Sequence, residues 1–240
     1  MIPKIIHYCW FGRGDMPELV IKCIASWHRY MPDWNYHFWS EDNFDIASAP
    51  AYVQEAYAVK KYAFVSDYVR LWALEREGGL YMDVDFEVYK PFDDLMDLYD
   101  AFAGYEGSKK NPVMMGVLAA YSHHPWIQGM METYTNRRFV KDDGSLDMTP
   151  NTGYFLQWMQ KQGFVADGVE KNFLEAHILP VEYFCPGLTT GENLRCERTY
   201  CEHKGLHSWS AEGGWKEKVL NIFGEKWKIR LIKLKRKLLG

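Results

Sequence analysis

Twenty-three residues in the first half of the chain, AFVSDYVRLWALEREGGLYMDVD over 63–85, restrict its fold more than any other stretch. Phe64, Leu71 and Leu74 fall on one helical stripe with Tyr68 and Trp72 beside them, so a helix is expected from about Lys61 to Glu77. Gly78-Gly79 supplies its stop. Leu80-Tyr81-Met82 then reads as a short buried strand, and Asp83 and Asp85, one residue apart, leave it on the same side. Asp67 and Arg70 are three apart in the helix, so they share a face and can point at the same object. Two acids at the end of a buried strand suit a divalent cation and the phosphates it carries. Arg70 adds a planar fork of donors for a phosphate or a hydroxyl. A bare Asp-x-Asp says little; in register with the helix pair and the Gly-Gly stop it points to a phosphate-bearing ligand.

The flanking sequence alternates strand and helix. Ile5 to Phe11 is an apolar run ended by Gly12-Arg13-Gly14, residues 17–30 carry helical spacing broken at Pro32-Asp33, and Tyr36 to Trp39 reads as a second strand. This alternation predicts an α/β fold with a Rossmann-like, mostly parallel sheet flanked by helices. A strand pair is expected over 80–89 around the two acids, a strand over 113–120, and helices over 126–136 and 152–162. With 240 residues, one domain over 1–214 is expected, followed by a separate segment over 215–240.

That last segment holds nine Lys/Arg and two Glu, whereas the remainder holds 19 basic and 30 acidic side chains. Acidic charge over the main body argues against a general nucleic-acid binder. Leu220, Phe223, Trp227, Leu231, Leu234 and Leu238 recur at three- and four-residue steps opposite the basic residues, the pattern of an amphipathic helix that lies on an anionic membrane surface. No run of about eighteen apolar residues is present to span a bilayer. The amino terminus lacks a signal-like apolar stretch, and five cysteines without regular spacing make a poor disulfide framework. A cytoplasmic protein, peripheral on the inner face of the cell membrane through residues 216–239, is the expectation. Aromatics at 16% suit either a ring-rich core or stacking on sugar faces.

Three ordered strings carry a family resemblance. SDYVRLWALEREGGLYMDVD (66–85) is similar to the SDxxRxxxLxxxGGxYxDxD signature of family 32 glycosyltransferases, which include capsular-polysaccharide enzymes and share a core with large glucosylating toxins. IPKIIHYCWFG (2–12) resembles the family's opening IPKxIHxxWxG, and TYCEHKGLHSW (199–209) resembles its TYxIHHxxxSW. The resemblance implies a GT-A fold and a nucleoside-diphosphate sugar as donor substrate. It implies that Trp10 stacks on the nucleobase with the backbone near Cys9 reading its edge, and that Asp67 and Arg70 hold the sugar's hydroxyls. Asp83 would touch ribose and sugar, and Asp85, with His203, would bind Mn²⁺ or Mg²⁺ through the pyrophosphate. Ser208 and Trp209 would contact the β-phosphate. His7, Gly79 and Tyr81, inside the same motifs, belong to the expected donor-binding set. Asp67, Arg70, Asp83 and Asp85 are the expected catalytic group, and family members retain the anomeric configuration. Lys204 stands where the family has a second His, which leaves His207 as a further ligand candidate. Asn151-Thr152-Gly153 falls at a turn near the sugar, on the acceptor side.

The expected function is a metal-dependent transferase that moves a sugar, from a UDP-sugar by preference, to a glycan or a lipid-linked polysaccharide precursor. A nucleotide-sugar hydrolase and a glycan-binding module without turnover are the rivals.

Overall fold

The structure, a computed structural model, describes residues 1–107, 112–187 and 194–205. Ser208, Trp209, His207 and the basic segment 215–240 lie outside the described residues.

The first half folds as its pattern requires. Strand β1 (Ile5–Cys9) leads to helix α1 (Glu18–Tyr30) and strand β2 (Asn35–Trp39), which lies parallel to β1 with His7 opposite His37. Helix α2 (Ala51–Ala58), which the apolar spacing did not announce, precedes α3 (Tyr62–Glu77) and β3 (Gly79–Met82). Strand β4 (Phe86–Val88), helix α4 (Asp93–Leu98), β5 (Ala101–Tyr105) and β6 (Val113–Ala120) follow. Helices α5 (Pro125–Glu132) and α6 (Asn151–Lys161), then β7 (Lys171–Phe173), β8 (Ala176–Leu179) and β9 (Cys201–His203), complete the described elements.

Seven strands form the main sheet in the order β2-β1-β3-β6-β5-β8-β7. β2, β1 and β3 are mutually parallel, β6 runs against both β3 and β5, β8 is parallel to β5, and β7 is antiparallel to β8. Five of the seven strands therefore point the same way, with β6 and β7 reversed. Every residue of β3 and β6 is buried, because both faces of the sheet are covered. One core packs α2, α3, α5 and α6 on one face; the other packs α1, β4 and α4 on the opposite face. Most large rings serve these cores: Trp27, Trp126, Tyr52, Tyr81 and Tyr105 are among the fully buried ones.

Gly78 and Gly79 join α3 to β3 with φ of +66° and +114°. A Cβ on Gly78 would lie 2.7 Å from the Ser122 amide nitrogen, and one on Gly79 would lie 2.7 Å from the Ile5 carbonyl oxygen. Here both glycines are demanded by backbone conformation and by close approach of other backbone.

The expected strand pair over 80–89 is corrected in one respect. β3 and β4 do not pair with each other: β3 belongs to the main sheet, while β4 pairs antiparallel with β9 in a separate two-stranded sheet that sets Phe86 opposite His203. Asp83 to Asp85 is the short passage between the two sheets, with Phe86 N–H donating to the Asp83 carbonyl at 3.2 Å. A chain that changes sheets there brings β9, from the far end of the described chain, against the two acids.

Candidate active site

A cleft of about 620 Å³ opens where α3, β3, β6 and β9 converge. Cys9, Trp10, Asp67, Arg70, Tyr81, Asp83, Asp85 and His203 line it, so most of the expected constellation is assembled in one place. Of the expected residues within the described part, His7, Gly79 and, on the acceptor side, Gly153 do not line the cleft. His7 is fully buried; its Nε2 bonds to the Gly78 carbonyl at 2.8 Å and its Nδ1 accepts from the Trp39 indole N–H at 3.2 Å. Burial lowers its pKa, so it is a neutral ring that fixes the α3–β3 junction. Cys9 is a buried thiol pushed up to about 12 by burial, so it offers shape and backbone rather than a nucleophile.

The floor is one charge cluster. Arg70 is buried, and its Nη2 reaches Asp67 Oδ1 at 2.8 Å and Asp83 Oδ1 at 3.3 Å. Its Nη1 donates to the Met115 carbonyl, its Nε to the Ser66 carbonyl at 3.3 Å, and its guanidinium lies over the Tyr81 ring at 4.7 Å. Tyr81 donates its hydroxyl to Asp83 Oδ1 at 2.7 Å. Asn151, the first residue of α6, donates its side-chain N–H to Asp67 Oδ1 at 2.7 Å. Burial pushes the Asp67 carboxyl up to about 6 against the pull of Arg70, and burial likewise raises Asp83. Gly116 on β6 lies beneath this cluster: its carbonyl accepts from Asp83 N–H at 2.7 Å, and a Cβ there would stand 2.8 Å from Asp83 Oδ2.

The two acids of the motif therefore differ in role. Asp83 is held by Arg70 and Tyr81, whereas Asp85 pairs with His203, whose Nε2 lies 3.0 Å from its Oδ2. Burial works against the charged form of His203, yet the bond to Asp85 and the charges of Asp85, Asp83 and Glu106 hold its pKa above the ordinary value. Lys204 faces elsewhere, with Nζ at 2.8 Å from both Glu202 Oε2 and the Tyr89 hydroxyl. Its backbone N–H donates to the Asp85 carbonyl at 2.8 Å, which ties β9 to the acid turn.

Asp85 and His203 form a carboxylate–imidazole pair suited to Mn²⁺ or Mg²⁺ only if other oxygens complete the shell. Among the described residues, the single trio of metal-capable side chains with ligand atoms mutually within 4.8 Å is His7, His37 and Glu77, away from the cleft, and both nitrogens of its His7 are already engaged. Residues that sequence reasoning missed are Glu106, at the end of β5 and raised by burial, and Gly116. Neither stands in a recognisable local pattern; each reaches the cleft only because β6 lies beside β3 in the sheet and β5 beside β6.

Residues 17–102 match the family of glycosyltransferase sugar-binding regions containing the DXD motif. An uncharacterized glycosyltransferase, L373, of Acanthamoeba polyphaga mimivirus is 26% identical over 165 residues, covering 64% of this chain and 62% of that protein. Inositol phosphoceramide mannosyltransferase 1 of Schizosaccharomyces pombe is 29% identical over 107 residues, covering 40% of this chain and 31% of that protein. The chain thus spans less than two thirds of the length of these relatives. A glycosyltransferase involved in glycosylation of the major capsid of PBCV-1 superposes over 97% of this chain and all of its own length, with a TM-score of 0.51 at 10% identity. The fold is of the GT-A type, and the matched stretch is of glycosyltransferase type.

Proposed function

We propose that this protein is a metal-dependent, retaining glycosyltransferase of the family 32 kind that takes its sugar from a nucleoside diphosphate, UDP-sugars being favoured. The observation that carries this reading is the division of labour between the acids, Asp83 on Arg70 and Asp85 on His203, within one cleft. Asp85 and His203 would hold Mn²⁺ or Mg²⁺, with the donor's phosphates supplying further oxygens. When bound, such an ion neutralises the charge that develops on the leaving diphosphate. Trp10, partly exposed on the cleft wall, offers a ring face to the base. Asp67 and Arg70 present an acceptor and a donor fork to the sugar's hydroxyls, held rigid by Asn151, Met115 and Tyr81.

The acceptor is a glycan or a lipid-linked polysaccharide precursor, as in capsule synthesis, met where Asn151 and Thr152 form the cleft's other wall. A basic amphipathic segment over 216–239 would bring the enzyme to the inner membrane surface where such acceptors lie. The mannosyltransferase similarity keeps GDP-sugars as the second donor class to test.

Calorimetry with UDP- and GDP-sugars, with and without Mn²⁺, on wild type and Asp85→Asn tests the reading. Manganese-dependent binding of one donor class, lost in Asp85→Asn, is expected, followed by sugar transfer to an acceptor. Binding of no donor, or metal-independent binding equal in the variant, would overturn it. Release of free sugar at the same rate with and without acceptor would mark a hydrolase instead.

A further inference from the structure

Behind the wall that carries Asn151 lies a cation that nothing above has used. Arg137 has a side chain only 7% exposed, and its Nε and Nη2 grip Asp147 Oδ2 at 3.0 and 2.9 Å. Its guanidinium is boxed by tyrosine rings, 3.9 Å from the centre of Tyr154, 4.4 Å from Tyr52 and 5.6 Å from Tyr134. Burying a guanidinium this way is costly, and its Nη1, like the Tyr134 hydroxyl, finds no hydrogen-bond partner among the described residues. Anchoring a loop alone does not require that cost, since an apolar side chain of similar volume would fill the same box.

Two further observations tie Arg137 to the cleft. Asp147, its partner, stands immediately before Met148, Pro150 and Asn151, all three of which line the cleft, and Asp147 Oδ1 accepts from Thr149 N–H at 3.3 Å. Asn151 in turn bonds Asp67, whose buried carboxylate feels Arg137 as its second favourable charge after Arg70. Arg70 is divided between Asp67 and Asp83, so the floor holds two carboxylates for one guanidinium. Arg137 thus acts at both ends of the Asn151–Asp67 bond, mechanically through Asp147 and electrostatically through the low-dielectric interior.

We propose that Arg137 is a positioning residue for the donor's sugar: through Asp147 it seats Asn151, whose side chain holds Asp67 in the orientation that receives sugar hydroxyls. The proposal rests on the donor reading above, and it is specific to the sugar, since the groups Arg137 bears on, Asn151 and Asp67, are those assigned to the sugar and not to the base.

The test compares, by calorimetry with Mn²⁺, UDP-glucose against UDP and GDP-mannose against GDP, on wild type, Arg137→Met and Arg137→Lys. In Arg137→Met, affinity for the nucleotide sugar is expected to fall about tenfold or more while affinity for the nucleotide alone is unchanged. Arg137→Lys keeps the charge without the two-pronged grip, so it is expected to recover part of that loss. Circular dichroism and melting curves accompany each variant; if Arg137→Met does not fold, the comparison rests on Arg137→Lys, which must show a smaller loss of the same sugar-only kind. Equal loss of nucleotide and nucleotide-sugar binding, or no loss of either, would overturn the proposal while leaving the donor reading intact. Failure of the wild type to bind either sugar nucleotide would instead remove the donor reading itself, and this proposal with it.

Discussion

The floor of the cleft and its rim are built on opposite plans. Asp67, Arg70, Tyr81 and Asp83 come from one continuous helix–strand stretch and are held by a single buried guanidinium shared between two acids. The rim is assembled from distant segments: Asp85 with His203, and Asn151 backed by Asp147 and Arg137. Its proposed metal pair, Asp85 and His203, meets at 3.0 Å between side chains 11% and 22% exposed. The floor is therefore part of what folds the domain as well as of what binds a ligand. Loss of one member of the Asp85–His203 pair leaves a single group without its partner, whereas loss of Arg70 leaves two carboxylates and the Tyr81 ring without the cation they share.

The largest effect that separates the two follows from Arg70→Met. Removing this buried cation strands the mostly buried Asp67 and the partly exposed Asp83 together, and breaking a buried pair in this way costs about 3–5 kcal/mol. For a domain of this size that lowers the melting temperature by roughly 10 °C, and nucleotide-sugar binding should vanish with it. Asp85→Asn breaks one ion pair rather than two and leaves His203 a neutral partner, so it should cost less, about 1–3 kcal/mol, while abolishing metal-dependent binding. Melting curves of the two variants side by side decide the matter: equal shifts would mean that floor and rim are energetically one unit.

A smaller change tests how rigidly the floor is seated. In Gly116→Ala the added methyl would stand 2.7 Å from the Phe86 ring and 2.8 Å from Asp83 Oδ2, so one of them must move. Overpacking of this kind costs about 1–3 kcal/mol, and a displaced Asp83 should weaken Mn²⁺-dependent donor binding by about tenfold. Binding that stays at the wild-type level while stability falls would show that Phe86 yields and Asp83 does not.

The same contrast explains what could be read from the sequence. Helix spacing, the Gly-Gly stop and the acid pair are local signals within one stretch, so α3, β3 and the floor were legible, as were β1, β2 and β6. Resemblance in the final motif supplied His203, which no spacing rule could have tied to Asp85. The switch of sheets after Met82 was not legible, because the strand partners of β4 are fixed by β9, far along the chain. His7 and Gly79 sit in motif strings for architectural reasons, which a string cannot distinguish from ligand contact. Arg137, Glu106 and Gly116 carry no periodic signal at all; only the sheet order and the packing of α6 bring them to the cleft or behind its wall.

The finest separation of floor from ligand chemistry is a matter of sign. Burial raises the Asp67 carboxyl from the ordinary 3.8 to about 6, so the folded chain holds its proton over a range in which the unfolded chain has lost it. Asp67 therefore stabilises the fold most below about pH 4, and that contribution is lost as the pH rises toward 6, by at most about 1.4 kcal/mol per pH unit. Sugar binding should run the other way, since only the ionised carboxylate accepts hydroxyl hydrogen bonds on both oxygens. Affinity for the nucleotide sugar should thus fall up to about tenfold for each unit below pH 6, beyond any fall in affinity for the nucleotide alone. His203 titrates above its ordinary value and also opposes metal binding in acid, but that loss is common to nucleotide and nucleotide sugar and cancels in their ratio. In Asp67→Asn both trends should flatten, with the ratio of affinities low at every pH. A ratio that stays pH-dependent in Asp67→Asn would move the sugar-reading carboxylate elsewhere, to Asp83 or Glu106, the other raised acids lining the cleft.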